Sequence, residues 1–159
     1  MGKTINQWLD EYGTSHQNSV NKKIHWICVP LIMLSLIGLL SSIPYSYIIN
    51  LKNYMFKIDF AIFFLFLVSI YYYKLSRTLF IGMLLVSIVL IMGVKLLTTS
   101  IAYPLWQTSL IIFIIAWIGQ FIGHKIEGEK PSFFEDLQFL LIGPAWLLSF
   151  IYKKFNITL

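Results

Sequence analysis

Residues 79–97 read LFIGMLLVSIVLIMGVKLL and contain one charged side chain, Lys95. A continuously apolar run of this length is typical of a helix that crosses a hydrocarbon core, which takes about 20 residues. An open sheet would leave unsatisfied backbone groups in lipid, and the run does not alternate as a barrel strand would. The run therefore predicts a transmembrane helix.

Three further apolar runs lie on either side of it, at residues 24–42, 58–73 and 105–123. Each is long enough, or nearly so, to cross a bilayer as a helix. A last apolar stretch contains Gly143-Pro144 near its middle and is short for a span. We predict that it forms an interfacial or partly inserted helix over about residues 135–152.

These runs together predict an all-α integral membrane bundle with four transmembrane helices and the C-terminal helix. Residues 1–159 form a single membrane domain in this prediction, with a polar N-terminal segment at residues 1–23. Hydrophobic residues make up 58% of the chain and charged residues 12%, whereas an ordinary soluble domain has roughly 45–50% apolar and about 25% charged residues. The composition excludes an ordinary soluble fold.

The net charge of +5 does not predict a nucleic-acid partner, because Lys and Arg occur in ones and twos between apolar runs. They predict orientation instead, since cytosolic loops are enriched in basic residues. With the N-terminus in the cytosol, most basic residues fall on the cytosolic side: Lys3, Lys22, Lys23, Lys74, Arg77, Lys125, Lys130, Lys153 and Lys154. We predict a bacterial inner-membrane protein, or an endoplasmic reticulum protein if the source is eukaryotic.

The chain has three histidines, His16, His25 and His124. In the four-span arrangement an even number of crossings separates His25 from His124, so all three share the cytosolic face. For any one of them the alternative is a solvated group at a helix end. Three on one face instead indicate a metal site.

Two local patterns add polar groups to these histidines. Trp117, Gln120, His124 and Glu127 follow one another at offsets that keep them on one narrow stripe of a helix. The Gly119-x-x-x-Gly123 spacing beside them favours close approach of a neighbouring helix.

Asn18 and Asn21, which precede the first predicted span, would share a helical face with His25 at its start. His16 joins them at one centre only if the chain bends between His16 and His25. Gly13-Thr14-Ser15 provides a break just upstream, and Asn18 is a suitable residue to end or cap a turn.

Three imidazoles, or two with Glu127, suit Fe(II) or Zn(II). Open coordination positions beside such ligands are typical of non-haem iron oxygenases. Glu135 and Asp136 are further carboxylates, although near the start of a helix they can simply complement its dipole. The residues are compatible with one bound ion or with two, and with either iron or zinc.

The stretch His16-Gln-Asn-Ser-Val-Asn-Lys-Lys-Ile-His25, followed by Val29-Pro30, resembles the N-terminal signature of the 2-hydroxy-fatty-acid dioxygenase family of small membrane proteins. The yeast member of this family acts in phytosphingosine breakdown. A second block, Trp117-Ile-Gly-Gln-Phe-Ile-Gly-His124 with Glu127, Pro131 and later Gly143-Pro144, resembles the family's second signature. The resemblance covers essentially the whole chain and is closer to the bacterial members.

The resemblance implies an Fe(II)-dependent dioxygenase that shortens 2-hydroxy fatty acids by one carbon, with O₂ and no nucleic acid among its partners. His16, His25 and His124 would be the metal ligands and catalytic residues. Glu127 would be a further catalytic residue, either as a ligand or as a hydrogen-bond acceptor beside the ligands. Asn18, Asn21 and Gln120 would orient imidazoles or substrate. The segment from His124 to Pro131 is one residue shorter than in the yeast-like pattern, which leaves Glu127, Glu135 and Asp136 as alternatives for the family's acid.

Two other functions remain open at the level of sequence. One is a metal-binding membrane lipid hydrolase that uses zinc, and the other is a non-enzymatic lipid-binding or assembly protein. Metal content distinguishes the lipid-binding protein from the dioxygenase and the hydrolase. Oxygen uptake distinguishes the dioxygenase from the hydrolase. Oligomeric state and substrate chain length are not encoded in any pattern described above.

Overall fold

The computed structural model describes residues 3–51, 54–130 and 138–159. Within them the chain forms helices and one antiparallel hairpin, in the order α1 (Ile5–Thr14), α2 (Ser19–Ser41), β1 (Ser46–Leu51), β2 (Tyr54–Asp59), α3 (Phe60–Leu75), α4 (Arg77–Ser100), α5 (Leu105–Glu127) and α6 (Phe139–Lys154). The predicted helical class is confirmed. The hairpin between α2 and α3 was not predicted.

Helices α2, α4 and α5 have 23, 24 and 23 residues and are long and apolar enough to cross a membrane. Helix α3 is apolar but has 16 residues, just below the usual range of about 17–25. Ile58 and Asp59, which the prediction placed in this span, belong to β2, and Asp59 caps α3 by accepting the Ile62 N–H at 3.0 Å. Three predicted spans are therefore supported, and the count of four is not confirmed.

The bundle contains two clusters of buried apolar side chains. One lies where α1 and α6 meet the middle of α2, the Tyr72 end of α3 and the start of α4. The other, called here the second core cluster, consists of Ile37, Ala61, Leu65, Leu90 and Val94. Its members lie late in α2 and α4 but early in α3, so α3 returns the chain in the opposite direction to α2 and α4.

Helices α2 and α5 pack closely along small residues. A Cβ atom built at Gly119 would lie 2.5 Å from Cys28 Sγ, and one built at Gly123 would overlap Asn21 Oδ1. Farther along the pair, Gly38 lies directly against Ser109 in the same way. The close approach predicted from the Gly119 and Gly123 spacing is confirmed, and it brings the two histidine-bearing helix ends together.

We expect Gly123→Val to destabilise the bundle by about 1–3 kcal/mol, because the added atoms overlap the fully buried Asn21 side chain. Thermal unfolding in detergent measures the change. Ala102→Val adds similar volume at an exposed position in the turn before α5 and is the matched control. Equal melting temperatures for the two variants would contradict the close packing.

Helix α1 was not predicted, because the segment 1–23 is too polar to stand out by hydropathy. The signal for it is local: Thr4 and Gln7 form a capping box, and the buried residues Ile5, Trp8, Leu9 and Tyr12 follow a helical period. The apolar face packs on α6, where the rings of Trp8 and Phe139 meet edge to face at 5.4 Å. Helix α1 thereby holds the start of α2 against the end of the chain.

Helix α6 has 16 residues and is not among the three helices long and apolar enough to span. It is held by two tyrosine hydroxyls: Tyr72 donates to the Leu141 carbonyl at 2.7 Å, and Tyr152 donates to the Thr78 carbonyl at 2.8 Å. The predicted start of this helix near residue 135 lies outside the described residues. Its described part lies over the histidine-bearing ends of α2 and α5.

Candidate metal centre

His16, His25 and His124 converge at one end of the bundle. One ring nitrogen of each lies within 4.8 Å of the others. The ring of His124 is 4.9 Å from that of His16 and 5.0 Å from that of His25, centroid to centroid. All three side chains are buried. The predicted convergence is confirmed, and so is the predicted bend: α1 ends at Thr14, and Asn18 caps α2 by accepting the N–H groups of Val20 and Asn21.

The hydrogen bonds of His16 and His25 fix which nitrogen atoms are available. His16 Nδ1 lies 2.7 Å from the Tyr12 carbonyl and His25 Nδ1 lies 3.0 Å from the Asn21 carbonyl. A carbonyl only accepts, so both Nδ1 atoms carry the proton and both Nε2 atoms present a lone pair. These two Nε2 atoms lie 2.9 Å apart. Two facing lone pairs in a buried space favour a bound cation between them.

His16 is enclosed by residues that the sequence analysis did not select. Tyr12 of α1 stacks on its ring at 4.2 Å, and Trp146 of α6 lies 5.2 Å away. Burial, together with the charge that His25 can carry, lowers the pKa of His16 to about 3. The imidazole is therefore neutral at physiological pH, which is the form that binds metals.

His124 and Gln120 direct unpaired polar atoms into the same region. His124 Nδ1 and Gln120 Nε2 are buried and, within the described part of the chain, have no hydrogen-bond partner. Such atoms are rare in folded proteins and often mark a ligand or an ion. The donor set thus fits a divalent metal: two aligned Nε2 lone pairs and an unpaired His124 nitrogen.

Glu127 lies beside the cluster rather than in it. Its carboxylate accepts the backbone N–H of Gln17 at 2.6 Å and of Asn18 at 2.9 Å, and the Asn21 side-chain N–H at 2.9 Å. Among the described residues, the group of potential ligands that meet within 4.8 Å consists of the three histidines. Glu127 therefore ties the first turn of α2 and the loop that carries His16 to the end of α5.

The remaining predicted residues have distinct positions. Asn18 is a helix cap, and Asn21 is fully buried between His25 and Glu127. Gln120 faces a cleft that also contains His124. Glu135 and Asp136 lie outside the described residues, so their relation to the centre stays a prediction.

An apolar cavity of about 430 Å³ extends from this cleft into the bundle. Five residues line both the cleft and the cavity, and they come from α2, α5 and α6: Ile32, Met33, Trp117, Leu140 and Pro144. The deeper walls are supplied by α3 and α4, among them Phe64, Val68 and Met83. The histidine cluster is therefore joined to a space suited to a long apolar group.

A family model described as 2-hydroxy-palmitic acid dioxygenase Mpo1-like matches residues 2–155. The chain belongs to this family. No curated protein and no solved structure matched the chain. The match covers both helices that carry His25 and His124, the loop that carries His16, and α6, so the family assignment includes the whole histidine cluster.

Proposed function

We propose that the protein is an Fe(II)-dependent dioxygenase that converts a 2-hydroxy fatty acid, with O₂, into the fatty acid one carbon shorter, carbon dioxide and water. The observation that carries this proposal is the buried cluster of three histidines in a member of a 2-hydroxy-palmitic acid dioxygenase family. Facial sets of nitrogen and oxygen ligands with open positions are the usual environment of non-haem iron oxygenases.

His16, His25 and His124 would hold the iron, which supplies the redox chemistry that couples oxidation of the substrate to reduction of O₂. The carbonyl groups of Tyr12 and Asn21 keep the protons of His16 and His25 on Nδ1 and so keep Nε2 free for the metal. The rings of Tyr12 and Trp146 cover His16 and exclude water from that side of the centre.

Substrate binding divides between a polar and an apolar part of the site. Gln120 would donate its unpaired Nε2–H to a carboxylate or hydroxyl oxygen of the substrate. The acyl chain would lie in the apolar cavity, where each buried methylene contributes about 0.8 kcal/mol. This division suits an amphiphile whose head reacts at one end of the bundle while its tail stays among the helices.

Purified protein loaded with Fe(II) and given a long-chain 2-hydroxy fatty acid tests the proposal. We expect oxygen uptake that matches substrate loss and a product one carbon shorter by mass spectrometry. The fatty acid of equal length without the 2-hydroxyl group is the control substrate and stays unchanged. Zinc bound tightly without oxygen uptake would favour a lipid hydrolase, and absence of stoichiometric metal would favour a lipid-binding protein.

We expect Gln120→Leu to raise KM about tenfold, because one hydrogen bond to a charged substrate group is lost, and to keep its full metal content although the side-chain hydrogen bond to His25 is also removed. Gln107→Leu, on the same helix and far from the cleft, is the matched control. Steady-state kinetics and metal analysis measure the two quantities. A loss of metal in Gln120→Leu would instead place Gln120 in support of the ligands.

A further inference from the structure

The apolar cavity ends against the second core cluster. Ile37, Leu65 and Leu90 line the cavity and also belong to that cluster. Their exposed fractions are 2%, 9% and 7%, so they are packed on the side away from the cavity by Ala61, Val94 and their neighbours. The cavity therefore has a closed end, whereas a passage through the bundle would have none.

The depth of this end can be estimated from helix geometry. His25 and Ile37 are twelve positions apart on α2, which at 1.5 Å per residue is about 18 Å. An extended chain advances about 1.2 Å per bond, since a residue of three bonds spans at most about 3.6 Å. A chain whose head lies at the histidines thus reaches Ile37 after roughly fifteen bonds.

We propose that Ile37, Leu65 and Leu90 form the floor of the acyl-chain compartment and set the longest 2-hydroxy fatty acid that the centre accepts. This inference rests on the proposed function for the identity of the ligand. The floor acts by exclusion: a chain that is too long has to bend or leave its head short of the metal. Shorter chains fit but leave apolar wall without contacts, so they bind more weakly.

Two substitutions move the floor in opposite directions. Leu90→Ala removes side-chain volume at the closed end and makes room for roughly two more methylenes. Ile37→Phe fills the end and shortens the compartment. Leu85→Ala, on the same helix but 61% exposed on the outer face, makes the same change as Leu90→Ala without touching the cavity.

Competition between chain lengths gives the readout. Wild type and variants receive an equimolar mixture of 2-hydroxy acids that differ by two carbons, in the same detergent, so partition into micelles cancels when variants are compared. Each additional buried methylene is worth about fourfold in affinity. We expect Leu90→Ala to raise the ratio of the longer to the shorter chain by up to about fifteenfold, Ile37→Phe to lower it, and Leu85→Ala to leave it unchanged.

The same mixture is also applied to metal-free protein, and the bound acids are identified by native mass spectrometry. If the variants bind acids of shifted length but the Fe(II)-loaded wild type oxidises none of them, the result would support the floor and reject the proposed function. Oxidation with the wild-type length ratio in both Leu90→Ala and Ile37→Phe would reject the floor and retain the function. If Ile37→Phe fails to fold, Leu90→Ala with its control still decides the matter.

Discussion

The His124→Ala variant is expected to lose stoichiometric metal and all measurable oxygen uptake, while its metal-free form folds as well as the metal-free wild type. His124 Nδ1 is buried and has no hydrogen-bond partner among the described residues, and such an atom costs about 1–3 kcal/mol when nothing is bound to it. Removal of this nitrogen atom relieves that cost, and the gain offsets part of the packing free energy that is lost with the imidazole ring. The expected effect on metal binding is much larger, because one of the three proposed ligands is gone and affinity falls by more than about 100-fold.

Two melting curves distinguish this outcome from general damage. A metal that binds only the folded protein stabilises it by an amount that rises with the logarithm of the ratio of metal concentration to dissociation constant. We therefore expect added Fe(II) to raise the melting temperature of the wild type but not that of His124→Ala. Lys125→Ala changes an exposed neighbour on the same turn and keeps the metal-dependent shift. Full metal content in His124→Ala would show that the three histidines are not a ligand set.

The Glu127→Ala variant is expected to lose about 2 kcal/mol of unfolding free energy and about 10–100-fold in metal affinity. The carboxylate accepts the N–H groups of Gln17, Asn18 and the Asn21 side chain. Without it the loop that carries His16 is no longer held against α5. Thermal unfolding and metal titration measure the two losses.

Glu127→Gln separates positioning from ligation. The amide oxygen still accepts hydrogen bonds from the same donors, so we expect most of the stability and a full metal equivalent to return. A glutamate that binds the metal directly would give the opposite result, since the amide is a poor substitute for a charged ligand. Glu129→Ala removes an exposed carboxylate two positions along the chain and serves as the control for charge alone.

The sequence predicted the histidine cluster for a reason that the structure supports. His25 lies near the start of one long apolar helix and His124 near the end of another, and the four helices α2 to α5 return the chain to the same end of the bundle. The second span illustrates the limit of that reasoning. Hydropathy extended it to residue 58, but Asp59 provides a helix cap and the preceding residues pair as a strand, which leaves a shorter helix.

Helix α1 and the role of Glu127 could not be predicted from the spacing of residues in the sequence alone. The periodic apolar face of α1 is visible in the sequence, yet nothing in the sequence states that α6 covers it. Glu127 was correctly placed on the stripe of His124, but its partners Gln17 and Asn18 lie in a distant segment. Whether the Glu127 carboxylate meets the histidine cluster or the N–H groups of Gln17 and Asn18 depends on a fraction of a helical turn. Sequence periodicity does not resolve so small a difference.

The loop carrying His16 is joined to α5 by contacts between residues 106 to 110 positions apart, and α6 closes over them. None of these contacts can form until nearly all of the chain has been synthesised. If the three histidines hold a metal as proposed, the complete ligand set is therefore assembled only after α5 has formed. An ion held by both His16 and His124 would link two segments about a hundred residues apart, and a link that closes so long a loop would oppose separation of the two ends on unfolding.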